Sequence, residues 1–138
     1  MTAKQYLNQA YRLDQRINSK LEQVLALRGL TTKVTATMTD MPGSASPNVH
    51  RSQDIIVKIV DLENEINADI DRLVDLKREI VSVIKGVEDP ECQTLLELRF
   101  LCFKTWEQIA VEMNYGIDNI YRLHRKAIKM VDEMLPVQ

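Results

Sequence analysis

Apolar groups at Tyr6, Ala10, Leu13, Ile17, Leu21, Val24 and Leu27 recur at steps of three and four. That spacing predicts one amphipathic helix over residues 3–28, ended by Gly29. A second stripe runs through Ile55, Ile59, Leu62, Ile66, Ile70, Leu73, Leu76, Ile80, Val83 and Val87. It predicts a helix over about 50–85, on the order of 55 Å long at about 1.5 Å per residue. Its near-heptad spacing calls for pairing with the first helix, with a partner chain, or with both.

Between the stripes lies GLTTKVTATMTDMPGSASPNV, residues 29–49, rich in Thr and closed by Pro, Gly and Ser. It shows no helical period and reads as a mobile or loosely docked connector. An extended segment laid along the helices is the alternative.

Gly86-Val87-Glu88-Asp89-Pro90 marks a boundary. Gly86 fits the left-handed residue that follows many helices. Asp89 can cap the next helix, and Pro90 suits its first position, where the missing N–H would be unpaired anyway. Three helices are expected beyond it, at 90–102, 105–113 and 117–134.

The second of these opens with Thr105-Trp106-Glu107-Gln108, an S/T-x-x-E/Q capping box. Trp106, Ile109, Ala110 and Met113 form its inner side. Asn114 tolerates a left-handed backbone, and Gly116 can cap the last helix. On that helix Ile120, Leu123, Ala127, Ile128 and Val131 face the core. Asp118, Tyr121, Arg122, Arg125 and Lys129 lie opposite, with Ile117, Asn119 and Lys126 at the margins. Four cations on one face, beside a free N-terminal turn, suit a helix that enters the DNA major groove. Arg can pair bidentately with guanine or phosphate, Asn can read adenine, and Tyr can donate to phosphate.

The stretch LLELRFLCFKTWEQIAVEMNYGIDNIYRLHRKAIKMV resembles the region 4 helix-turn-helix of sigma-70 family factors. The likeness rests on Leu98-Arg99-Phe100, Thr105, Glu107, Ile109-Ala110 and the spacing of Ile120, Leu123 and Ala127. With the N-terminal hairpin and the YRLH run, the whole chain resembles a family of phage and prophage proteins of Gram-positive bacteria. That family is related to the ArpU-type and RinA-type late-gene transcription regulators. The resemblance implies a phage-encoded, sequence-specific DNA-binding regulator. It also implies contact with host RNA polymerase, since region 4 makes one. Two residues depart from the pattern. Phe103 stands where sigma-like sequences usually have Gly, so its turn is expected to be built differently, and Gly116 replaces the usual Ser or Thr cap.

Net charge is −2 over 138 residues, an awkward balance for a DNA binder. Residues 89–138 are themselves net acidic. Within 117–130, however, Arg122, Arg125, Lys126 and Lys129 face only Asp118. Local field, rather than net charge, attracts phosphates.

Acids at Asp61, Glu65, Asp69 and at Asp71, Asp75, Glu79 stack at i+4 steps on the long helix. Lys58, Arg72, Lys77 and Arg78 are interleaved with them, which favours a solvated flank over a metal site. His124 reads as structural or as a phosphate contact, and Cys92 and Cys102 as half-buried packing residues. The cysteines show no zinc spacing, and no Ser/His/Asp or Cys/His constellation is present. No catalytic residue, metal or cofactor is therefore expected, and the protein is read as not an enzyme. Two thiols without a secretory segment point to a reducing cytoplasm, here that of a bacterial host cell.

The sequence thus predicts an all-α chain. Residues 1–86 form a long two-helix antiparallel arm, coiled-coil-like and dimerising, with the connector 29–49. Residues 89–138 form a sigma-region-4-like three-helix DNA-binding domain. Thr105, Gly116, Ile117, Asp118, Asn119, Tyr121, Arg122, Arg125, Lys126 and Lys129 are the residues assigned to double-stranded DNA. A module that docks on RNA polymerase and a DNA-packaging recognition subunit are the competing functions; no membrane is expected.

Overall fold

The computed structural model describes residues 1–39 and 46–135. The described residues form five helices and no strand: α1 (Ala3–Thr39), α2 (Ser46–Lys85), α3 (Pro90–Phe100), α4 (Trp106–Met113) and α5 (Ile117–Met134). The chain divides into two compact units. One comprises Met1–Asp14 with Leu73–Gln138, the other Gln15–Arg72.

In the second unit α1 and α2 run antiparallel. Lys20 pairs with Glu65 and Asp69, and Arg28 with Glu63, so rising numbers on one helix meet falling numbers on the other. The buried seam uses Ile17 and Val24 of α1 with Ile59 and Ile66 of α2. Here the sequence stripe needs correcting at two places. Leu21 and Ile70 are exposed, at 44% and 41%. Lys20 and Asp69 hold the neighbouring seam positions instead, joined at 2.6 Å.

Helix α1 does not stop at Gly29 but continues to Thr39, and α2 begins at Ser46 rather than near residue 50. Gly in a helix interior costs about 1 kcal/mol relative to Ala, which packing against a partner helix can override. The Thr31 and Thr32 hydroxyls donate to the Leu27 and Arg28 carbonyls one turn back, so both remain compatible with the helix. Much of the expected connector is therefore helical; residues 40–45 of it lie outside the described residues.

In the first unit, the opening turns of α1 and the closing turns of α2 share one core with α3–α5. Ala3, Leu7, Ile80, Leu95, Leu96, Ile109, Ile120, Ala127 and Val131 are all fully buried there. Each large aliphatic side chain in such a core contributes about 1.5–3 kcal/mol from removal from water. Cys92 is buried and Cys102 exposed, so neither is half-buried as expected; both are free thiols.

Asp89 caps α3 as expected, accepting from the Glu91 and Cys92 N–H groups, with Pro90 in the first position. Gly86 behaves differently from its sequence reading. Its φ lies outside the left-handed region, and the chain leaves α2 through short bonds from Gly86 N–H to Val83 O and Val87 N–H to Ile84 O. What Gly86 supplies is space, because a Cβ there would fall on the Met134 methyl.

Candidate nucleic-acid interface

Helix α4 is set by local chemistry at both of its ends. The Gln108 N–H donates to Thr105 Oγ1 (3.2 Å), and the Thr105 N–H donates to Gln108 Oε1 (2.9 Å). This completes the capping box that the sequence predicts. Asn114 is left-handed at φ 60°, ψ 43°. Tyr115 N–H then reaches Ala110 O, and Asn114 N–H reaches Val111 O, which closes the end of α4 as a Schellman motif. Gly116 follows in extended conformation, with no side-chain cap and nothing within 4 Å of a Cβ built there.

Behind α4, the turn from α3 contains Phe103 at φ 58°. The sequence calls for a different turn at this position, yet the left-handed conformation is kept with an aromatic in place. The Phe103 ring lies 5.5 Å from the Tyr11 ring and 4.6 Å from the Lys77 ammonium. Lys77 Nζ also donates to Leu101 O at 3.2 Å. These contacts offset a strain of about 1–2 kcal/mol.

An aromatic cluster fixes α5 against α3 and α4. The Trp106 ring lies 4.5 Å from His124 and 5.8 Å from Tyr121, and the Arg99 guanidinium sits 4.3 Å over it. His124 also stacks on Phe100. Burial, followed by the charges of Lys4, Arg99 and Arg125, lowers the His124 pKa to about 4, so its ring is neutral near pH 7. Of the two sequence readings for His124, this packing supports the structural one.

Ile120, Ala127 and Val131 are buried, and Leu123, His124, Ile128 and Met130 are partly buried beside them, so the opposite face of α5 points outward. Gly116, Ile117, Asp118, Asn119, Tyr121, Arg122, Arg125, Lys126 and Lys129 are all exposed, and Thr105 is exposed at the head of α4. Asp118, in the first turn, complements the positive end of the helix dipole.

The four cations are not equivalent. Lys126 Nζ lies 2.8 Å from Asp89 Oδ2 on the cap of α3. The hydrogen bond from Lys126 holds the Asp89 carboxyl below its ordinary range, and the Lys126 ammonium is raised correspondingly. Among the described residues Arg122, Arg125 and Lys129 have no ion-pair partner. The sequence sets only Asp118 against these cations; Asp89, 37 residues away, is a second counter-charge.

Sequence reasoning also misses Lys4. The first turn of α1 opens with its own capping box, Thr2 to Gln5. The Ala3 N–H donates to Asp132 Oδ1 of α5 at 2.9 Å, which brings Lys4 beside Arg125 and Lys129. The T-x-x-Q pattern signals a helix start, but no local signal says where that start docks.

Among the described residues no group of three or more His, Cys, Asp or Glu is placed to hold a metal ion. No helix among them is long and apolar enough to cross a membrane. A family model described as "Protein of unknown function (DUF1492)" matches residues 35–132. No curated protein and no solved structure matches the chain.

Proposed function

The chain belongs to the DUF1492 family of proteins of unknown function, and for it we propose sequence-specific binding of double-stranded DNA through a sigma-region-4-like helix-turn-helix. Helix α4 lies across the backbone, and α5 enters the major groove with its N-terminal turn. The observation that carries this reading is the division of α5. Its inner face is closed by Ile120, Ala127 and Val131, while Asn119, Tyr121, Arg122, Arg125 and Lys129 stand exposed together. Gly116 supports it as well, since nothing within the protein fills the space beside its α-carbon. An open glycine lets another backbone approach closely.

The biological role follows from the resemblance: a phage-encoded transcription regulator acting in the cytoplasm of a bacterial host. It acts as a homodimer through the N-terminal helices, on a two-part site. Exposed Leu21 and Leu25 on α1, with Ile56, Val60 and Ile70 on α2, support the dimer. Light scattering should give twice the monomer mass; a monomer at high concentration removes the dimer from the mechanism.

Selection of bound sequences from a random duplex pool is the primary test, and a two-part motif is expected. Replacing Arg122 and Arg125 together by Ala should weaken binding to it by more than about tenfold and flatten its salt dependence. Unchanged affinity would show that α5 is not the reading helix.

A second reading draws on the outer surface of α4. Val111 is 81% exposed there, in a cavity lined with Lys104, Glu107, Gln108 and Glu112. Such an exposed apolar side chain, beside the Lys104–Glu112 ion pair, suits docking on a protein such as RNA polymerase. Purified polymerase that binds the wild type, loses Val111→Asp, and does so without DNA would favour this reading.

A further inference from the structure

The first turn of α1 is held in a fixed place relative to the cationic face of α5. Ala3 and Leu7 are fully buried in the shared core. The Ala3 N–H donates to Asp132 Oδ1 (2.9 Å), and the Thr2–Gln5 capping box keeps the turn wound. Lys4 is exposed on this anchored turn and opens into a cavity of about 270 Å³ lined also by His124, Arg125, Ile128, Lys129 and Asp132.

Arg125 and Lys129 are one helical turn apart and lie on the same side of α5. Lys4 adds a third cation from a different element. Against these three stands one carboxylate, Asp132, with an oxygen already accepting from Ala3. The imidazole at the cavity wall adds no positive charge near pH 7, being held neutral by burial and by Lys4, Arg99 and Arg125. The result is a local positive site continuous with the α5 face, yet more than two turns beyond the start of that helix.

Resting on the DNA-binding reading, we infer that Lys4, Arg125 and Lys129 form a subsite for a backbone phosphate of duplex DNA. It positions the protein and reads no base, because cations that meet phosphates carry no sequence information of their own. The N-terminal turn of α1 is thereby part of the DNA interface. The hydrogen bond from Ala3 to Asp132 is the feature that aims it.

The test uses the full chain with two duplexes of equal length, one selected from the random pool and one unrelated. Affinities are measured between about 50 and 200 mM salt, where phosphate contacts set a log–log slope near −0.9 per contact. Lys4→Gln should make that slope about 0.9 shallower and weaken both duplexes by the same factor, roughly three- to tenfold. Lys4→Arg should restore both. Arg122→Ala should instead reduce preference for the selected duplex. Thermal unfolding of Lys4→Gln should match wild type, since the side chain is exposed. An unchanged slope for Lys4→Gln, with Arg125→Ala lowering it, overturns the subsite and leaves the DNA reading standing. Wild-type protein that binds neither duplex overturns both.

Discussion

Lys20 and Asp69 meet at 2.6 Å inside the α1–α2 seam, with only 14% and 10% of their side chains exposed. A charged pair in an otherwise apolar seam favours one register, since a shift of either helix would bury Asp69 without Lys20. The hydrogen bond from Lys20 holds the Asp69 carboxyl below its ordinary range. Asp69→Ala should destabilise by about 1–3 kcal/mol, less than the loss of one partner from a fully enclosed pair. The double change Lys20→Leu with Asp69→Leu should recover that loss or exceed it, while loosening register. Denaturant melts check the first half, and crosslinks between cysteines placed at Arg28 and Glu63 check the second. A double variant as unstable as Asp69→Ala sinks this account.

Phe103 combines a left-handed backbone with two ring contacts, so two substitutions separate the effects. Phe103→Ala keeps the strain and loses the contacts with Tyr11 and Lys77. It should cost about 1–2.5 kcal/mol, the sum of an aromatic pair and a cation–π contact. Phe103→Gly loses the same contacts but relieves about 1–2 kcal/mol of strain, and should fall close to wild type. Equal stability of the two variants in urea would mean that the turn stores no strain.

His124 should dominate the acid limb of stability above pH 4. Its folded pKa, about 4, lies below its ordinary 6.5. Between those values the unfolded chain takes up a proton that the native ring refuses, so stability is complete above pH 6.5 and declines as pH falls toward 4. Lys4, Arg99 and Arg125 all oppose protonation, and Asp132 lines the same cavity. Asp69 and Asp89 are lowered from 3.8, so their contributions are lost only below that. His124→Leu should flatten the melting temperature between pH 6.5 and 4.5. An unaltered slope assigns the limb to other groups.

Features written in consecutive residues were legible in the sequence. Asp89-Pro90, the Thr105–Gln108 capping box, left-handed Asn114 and the two faces of α5 all depend on neighbours within one or two turns. Features that needed a distant partner were not. Leu21 and Ile70 compete with Lys20 and Asp69 for the seam one residue away, and apolar periodicity alone favours the wrong member of each pair. Gly29 carries a helix-stop signal, yet α1 runs through it to Thr39. Lys4 and Asp132, 128 positions apart, share a cavity for which the chain gives no local sign.

The Lys126–Asp89 pair occupies one of the four cations of α5, and that cation can be freed without losing the α3 cap. A Ser at position 89 can still accept from the Cys92 N–H, as capping requires. It carries no charge to hold Lys126, whose ammonium now lies 2.8 Å from the carboxylate. Asp89→Ser should therefore leave the helical content of α3 intact while releasing one cation beside Arg122. DNA affinity should rise several-fold at about 100 mM salt, and the log–log slope should steepen by about 0.9, the signature of one added phosphate contact. Asp89→Asn should behave in the same direction, because it too removes the charge and keeps a capping oxygen. The effect should vanish in Asp89→Ser combined with Lys126→Ala. If Asp89→Ser raises affinity even without Lys126, the gain comes from removing an acid near DNA rather than from freeing a contact. If it lowers affinity at unchanged stability, the ion pair itself shapes the binding surface.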